Sequence, residues 1–262
     1  RVEFDAFRTP MAESRRRFTE YTEAILTGLE TGVMEYDGAL YKQPRTHIRP
    51  GPYASFKGRT FASAISPYSI DLMAKLGVGL MVIAQKPWEM VKNEIVGYRQ
   101  RYFAVNGTPA PKPILNMFVA VNEDPAEAQR MREVYLQRYA RSTVEHYEFG
   151  NVGFAEIEGY EYYAGLARNI EKHGLEKFNG FLADLQVWGT PGEVAEKLIK
   201  YVDYLDAGAL LVMLSYGGMS ADVAKRNYDL FVSSVLPKLK RYDVGGDIGV
   251  LSSPETAATA AE

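Results

Sequence analysis

The chain has 262 residues, of which 47% are hydrophobic and 24% charged, enough for one large domain or two small ones with a sizeable core. Its formal charge of -3, with lysine and arginine scattered among acids, gives no footprint for a nucleic-acid backbone, and no run approaches the roughly 20 apolar residues that span a bilayer. It contains no cysteine, which excludes disulfides, thiolate metal sites and a cysteine nucleophile. The N-terminal stretch is charged rather than signal-like, so the chain reads as cytoplasmic. It opens on Arg1 instead of Met, so a segment upstream is expected.

Residues 11–31 carry Phe18, Tyr21, Ile25, Leu26 and Leu29 at helical spacing, and Gly32 follows as a left-handed cap. Glu13, Glu20, Glu23 and Glu30 fall beside basic residues and read as the solvated side of this helix. Asp37-Gly38 signals a hairpin, after which Pro44, Pro50 and Pro52 keep the chain extended. Residues 60–65, 79–84, 114–121 and 210–214 are short apolar runs, and helical patterns fill 70–76, 88–102 and 124–147 between them. Continuous apolar strands alternating with helices indicate a parallel sheet covered by helices, either open and doubly wound or closed as a barrel. The segment 149–186 breaks the alternation and reads as a helical insertion between strands. Thr190-Pro191-Gly192-Glu193 is a capping box opening a further helix, and a closing helix runs through Phe231, Val235 and Leu236. Residues 1–242 then form one domain, and the Gly-, Ser- and Ala-rich tail at 243–262 is expected to be disordered.

Ser66-Pro67-Tyr68-Ser69 stands where a strand ends and a helix begins, leaving free N–H groups, a positive dipole end and two hydroxyls suited to a phosphate. The alternative is that Ser66 only caps its helix. Ser215-Tyr216-Gly217-Gly218 at another strand end permits either close approach to a ligand or a tight turn. Gln85 and Trp188 also lie just past strand-like runs, where an aromatic is either packing or pocket. His47, His146 and His173 have no partner at a metal-ligand spacing and read as non-catalytic, so no metal is expected. No Ser-His-Asp or P-loop pattern is present, and the absence of evident acid–base or metal clusters points to a cofactor that carries the difficult chemistry.

Several segments taken together resemble the luciferase-like flavin monooxygenases. They are Arg1-Val2-Glu3-Phe4-Asp5-Ala6-Phe7 with residues 11–18, the run 60–74, Val187-Trp188-Gly189-Thr190-Pro191-Gly192-Glu193, and Leu214-Ser215-Tyr216-Gly217-Gly218-Met219 through Val235-Leu236-Pro237. The resemblance implies an α/β fold of the (β/α)8 TIM-barrel type, with only about the second half, strands five to eight, in this chain. It assigns the flavin phosphate to the backbone of Ile65 and Ser66 and the hydroxyl of Ser69, and puts Arg1 and Gln85 beside the flavin. Phe7, Trp188 and Tyr216 would line the substrate pocket. The implied activity is oxygenation of a small organic substrate by reduced FMN and O2, with the catalytic residues upstream of Arg1. A separate flavin reductase and a homodimeric or heterodimeric assembly are also implied. F420-dependent hydride transfer and a non-catalytic flavin-binding subunit are the alternatives. A barrel without its first four strands would have two open edges and is expected to be unstable alone.

Overall fold

The computed structural model describes residues 2–157 and 160–242. The Arg1 assignment and the expected disorder of 243–262 therefore lie outside the described residues. A short helix α1 (Val2–Ala6) and one 3-10 turn lead into α2 (Ser14–Thr31), which ends at Gly32 with φ +73°. Strands β1 (Val33–Asp37) and β2 (Lys42–His47) form the antiparallel hairpin that Asp37-Gly38 signals.

The buried side of α2 differs from the one its periodicity suggests. Phe18, Tyr21 and Ile25 are exposed, and Glu20, Ala24 and Gly28 are buried instead. Nor is the acidic side simply solvated. The Glu20 carboxylate accepts the N–H groups of Leu40 and Tyr41 at 2.8 Å each and of Ala39 at 3.3 Å, and pairs with Arg16 at 3.0 Å. Glu30 likewise accepts from the Ser55 hydroxyl and from the Phe56 N–H at 2.7 Å. A loop's free N–H groups need acceptors once they leave water, and a carboxylate can take several. Burial pushes the Glu20 carboxyl up, but these donors outweigh it and hold it below the usual range.

The central sheet is built from β3 (Phe61–Ser63), β4 (Gly79–Ile83), β5 (Ile114–Val121), β6 (Val187–Gly189) and β7 (Ala209–Met213), with every pairing parallel. The order is β3-β4-β5-β6, and β7 lies along the first part of β5. The four apolar runs of the sequence thus become adjacent parallel strands in chain order. The bounds of β3, β4 and β7 shift by one or two residues, β3 being the most shortened, and an additional short strand, β6, is present. Between them run α3 (Pro67–Leu76), α4 (Trp88–Asn106), α5 (Pro125–Met131), a π turn at Arg132–Leu136, and α6 (Gln137–His146). The segment that breaks the alternation holds α7 (Glu161–His173) and α8 (Leu175–Asp184). Helix α9 (Pro191–Leu205) opens on the Thr190–Glu193 capping box, and α10 (Ala221–Leu230), a second π turn and α11 (Leu236–Lys240) close the described chain.

Residues on a strand alternate between faces. On β5, Leu115, Met117, Val119 and Val121 are at most 2% exposed and pack under the helices with Met73, Ile95 and Leu198. The alternate residues Ile114, Asn116 and Phe118 face the other way and are only partly buried. On β7, Leu210 and Val212 join the core, whereas Leu211 and Met213 are exposed. Helices therefore cover one face of the sheet more fully than the other. Among the described residues the sheet does not close on itself, and no helix is long and apolar enough to cross a membrane.

β5 is longer than β4 and β7, and its last residues pair with the short β6, so beyond the ends of β4 and β7 a stretch of β5 lacks their ladder. Two buried amides replace it. The Gln186 amide donates to Ala84 O at 3.0 Å and accepts from Phe118 N at 3.1 Å on the side of β4. The Asn227 amide donates to Val119 O and Leu214 O at 2.8 and 2.9 Å, and accepts from Val121 N at 2.8 Å on the side of β7. These bonds satisfy main-chain groups that would otherwise be buried unpaired.

Candidate functional site at the C-terminal ends of the strands

The turn after β3 caps α3. Ser66, 3% exposed, accepts the Ser69 N–H at 3.2 Å, and the two hydroxyls lie 2.9 Å apart. The capping role of Ser66 is therefore present. With Pro67 lacking an N–H and Ile70 donating to Ser66 O, the Tyr68 N–H is the first-turn donor with no partner found among the described residues. Above it, the Arg15 guanidinium, from the first turn of α2, sits 3.8 Å from the Tyr68 ring centroid. Behind the turn, Lys86 is 4% exposed. Its Nζ donates to Ile65 O at 2.6 Å and to Glu94 at 2.5 Å, and lies 4.5 Å from the Tyr162 ring centroid. Two cations thus flank the serine turn, Lys86 buried and Arg15 half-buried, the latter also 5.3 Å from the Tyr160 ring centroid.

Burial pushes the Tyr139 phenol up, and Thr143 and Gln85, just past β4, act against that shift. Tyr139 stacks on Phe118 with centroids 3.8 Å apart, and Tyr216 meets Phe118 edge-on at 5.1 Å. Among the described residues the Tyr216 hydroxyl, shut off from solvent, has no hydrogen-bond partner, and neither has the buried Asn116 Oδ1. Burial pushes the Tyr216 phenol up, which keeps it protonated as a donor at neutral pH. The aromatic cluster forms a floor at the strand ends with an unspent donor in it.

Gly217, with φ +59°, makes the β7–α10 turn press on the π turn, since an added Cβ would collide with the Tyr135 carbonyl. Of the two readings of Gly217-Gly218, this contact favours the tight turn. Two cavities lie near these residues, the smaller of them lined by Tyr139. One of about 660 Å³ reaches from Gln85 and Lys86 between α7 and α8, and one of about 470 Å³ lies among Arg138, Thr143, His146 and Gly218.

The structure brings Ile65, Ser66, Ser69, Gln85 and Tyr216 to one end of the sheet. It does not bring Phe7 there: this side chain is 80% exposed and lines none of these cavities. Trp188 packs into the core under the Lys197 ammonium, 4.6 Å from its ring centroid, and lines neither cavity. Both positions depart from the substrate-pocket role expected for them: Trp188 lies within β6 and turns to the core, and Phe7 follows the short α1 with its side chain in solvent. Arg15, Lys86 and Tyr139 were not anticipated. Arg15 and Tyr139 sit in ordinary amphipathic helices, where no local signal separates a site residue from a surface or packing one. Lys86, directly after Gln85 at a strand end, could have been found by that position. Among the described residues no group of three or more potential ligands could hold a metal ion.

A parallel sheet covered by helices, with polar groups and an aromatic floor at the strand ends, defines an α/β protein. The family model "Luciferase-like monooxygenase" matches residues 1–207, and the chain belongs to that family. It is 25% identical over 142 residues to the alkanal monooxygenase beta chain of Photorhabdus laumondii, covering 52% of this chain and 43% of that protein. Among solved structures, a monooxygenase from Streptomyces bottropensis superposes with a TM-score of 0.64 at 20% identity, covering 91% of this chain and 65% of that one. The EDTA monooxygenase from Chelativorans sp. BNC1 gives 0.63 at 15% identity, covering 90% and 62%. The coenzyme F420-dependent tetrahydromethanopterin reductase from Methanopyrus kandleri gives 0.53 at 16%, covering 87% and 64%. These likenesses establish a shared fold. The chain spans between 43% and 65% of the length of these relatives.

Proposed function

We propose that this chain is the C-terminal part, strands five to eight, of a luciferase-like barrel that binds reduced FMN and uses O2 to oxygenate a small organic substrate. The observation that carries the reading is the turn at Ser66–Ser69, with an unpartnered N–H, two hydroxyls and the Arg15 guanidinium gathered at the N-terminus of α3. Those groups fit a phosphate monoester. The floor of Phe118, Tyr139 and Tyr216, with its unpartnered hydroxyl, fits a flat ring system that offers acceptors. Reduced flavin, when bound, supplies both the electrons and the activation of oxygen. The protein's own part is to hold and to exclude. Lys86 anchors the Ile65 carbonyl and so fixes the turn, Arg15 and Ser69 take the anion, and the aromatic residues keep water from the ring. A separate reductase would supply the flavin, and a second chain would complete the assembly, as the designation "beta chain" of one relative suggests.

The test is a calorimetric titration with FMN and with riboflavin, which lacks the phosphate. A hydrogen bond to a charged group contributes about 1.5–3 kcal/mol, so Ser69→Ala should weaken FMN binding about 10- to 150-fold and leave riboflavin binding almost unchanged. Ser66→Gly should matter less, since glycine keeps the N–H and is a tolerable cap. Equal FMN affinity in Ser69→Ala would return this serine to the helix's first turn. Because a reductase using F420 shares the fold, the same titration is run with F420. Tighter binding of F420 than of FMN would assign hydride transfer instead, and flavin binding that yields only peroxide with a reductase and a substrate panel would assign a non-catalytic subunit.

A further inference from the structure

The cavity that begins at Gln85 and Lys86 is a long groove. Helix α7 forms one wall and α8 the other, and the start of α4 forms the floor. Its volume of about 660 Å³ falls in the usual range of small-molecule sites, roughly 300–1,000 Å³. Tyr162 stands at the inner end and His173 at the outer end, eleven residues apart on α7, so at 1.5 Å per residue the groove is about 16 Å long. That is the length of a medium alkyl chain. Leu166, Phe178, Phe181 and Met90 make its walls apolar.

Gly165 stands in the middle of α7. A glycine inside a helix is disfavoured relative to alanine because it loses more backbone freedom on folding. Here an added Cβ would meet no atom within 4 Å, so nothing in the packing of the helix calls for glycine. What its bare backbone leaves open is the groove.

The two ends differ in charge. At the inner end Lys86 is paired with Glu94, and Glu161 lies beside it, so there is no excess positive charge. At the outer end Lys177 and His173 are exposed, and neither is in an ion pair among the described residues.

We propose that this groove binds the substrate and that the substrate is an apolar-bodied molecule carrying one anionic end. The neutral, reacting end lies at Gln85 beside the aromatic floor, and the anion lies at Lys177 and His173. The word substrate rests on the oxygenase reading above. The ligand chemistry rests on the groove alone.

The test is titration of the full chain with decanoate, decan-1-ol and decylamine without flavin, by calorimetry, on the wild type, Gly165→Trp and Lys177→Glu. Each variant's circular dichroism and melting curve report its fold. Decanoate should bind saturably, about tenfold more tightly than decylamine, as expected for opposite against like charge near a partly screened cation, with decan-1-ol between. Gly165→Trp should lose at least about tenfold for all three by filling the groove, and Lys177→Glu should erase or reverse the preference for the acid. Equal affinity for the two ions, decanoate binding unchanged in folded Gly165→Trp, or an unchanged preference in Lys177→Glu would overturn the proposal. A parallel FMN titration separates the two readings. Wild-type protein that selects decanoate but binds no flavin would sink the oxygenase reading and leave the groove, whereas FMN binding with no decanoate selectivity would do the reverse.

Discussion

The two faces of the central sheet are made from the same strands and yet are finished to different degrees. Leu115 and Leu210 pair across β5 and β7 on the helix-packed face, where Leu115 is fully buried. One residue on, Asn116 and Leu211 pair on the opposite face, where Leu211 is 41% exposed and Asn116 has a buried oxygen without a partner. The Tyr216 hydroxyl belongs with these loose ends. A fold that buries apolar surface has no use for unpartnered polar atoms, since each forgoes a hydrogen bond it had in water. The first face is the more completely packed of the two.

The sharpest way to break this comparison is to truncate one leucine on each face of the sheet. Leu115→Ala removes buried methylenes and leaves a cavity in a packed core, so it should cost about 2–5 kcal/mol in urea unfolding. Leu211→Ala should cost less than about 1 kcal/mol, because much of its surface is already in water. Similar losses at the two positions would mean that the open face is covered in solution. Next in size is Asn227→Ala. It strands the main-chain groups of Val119, Val121 and Leu214, and should cost about 1–3 kcal/mol by the same measurement. A near-neutral result would show that water enters the gap between β5 and β7 there.

The smallest effect concerns the hairpin at the edge of the molecule. The Glu20 carboxyl is held below its ordinary value of about 4.3, so its contribution is present above that pH and is lost as pH falls through the depressed folded-state value. Glu20→Gln should therefore melt below the wild type near neutrality, and the two melting temperatures should converge on acidification below about pH 4. Parallel curves across the whole range would remove the carboxylate's charge from the account of the hairpin loop.

Much of the architecture was legible in local chemistry. Gly32 and Gly77 end their helices in left-handed conformations, Ser66-Pro67 and Thr190-Pro191 open theirs, and the four apolar runs become neighbouring parallel strands. Such signals act within one turn or one strand, where capping, φ restriction and side-chain period are decided by adjacent residues. The site was legible only in part. Ser66, Ser69 and Gln85 stand at strand ends that sequence alone can locate, while Trp188 turned into the core and Phe7 into solvent.

What the tertiary structure decided was the assignment of faces and of partners across long separations. Glu20 became an anchor rather than a solvated acid because a hairpin loop twenty residues away needed acceptors. Gln186 and Asn227 became parts of the sheet because β5 outruns β4 and β7, a mismatch of lengths that exists only after the strands have paired. Gly165 stands within a helix that does not need it for packing, and only the folded chain shows that it borders the space between α7 and α8. Sequence set the elements through short-range sterics and hydrogen bonding. Packing chose which side of each was inside, because burial is settled by all the elements at once.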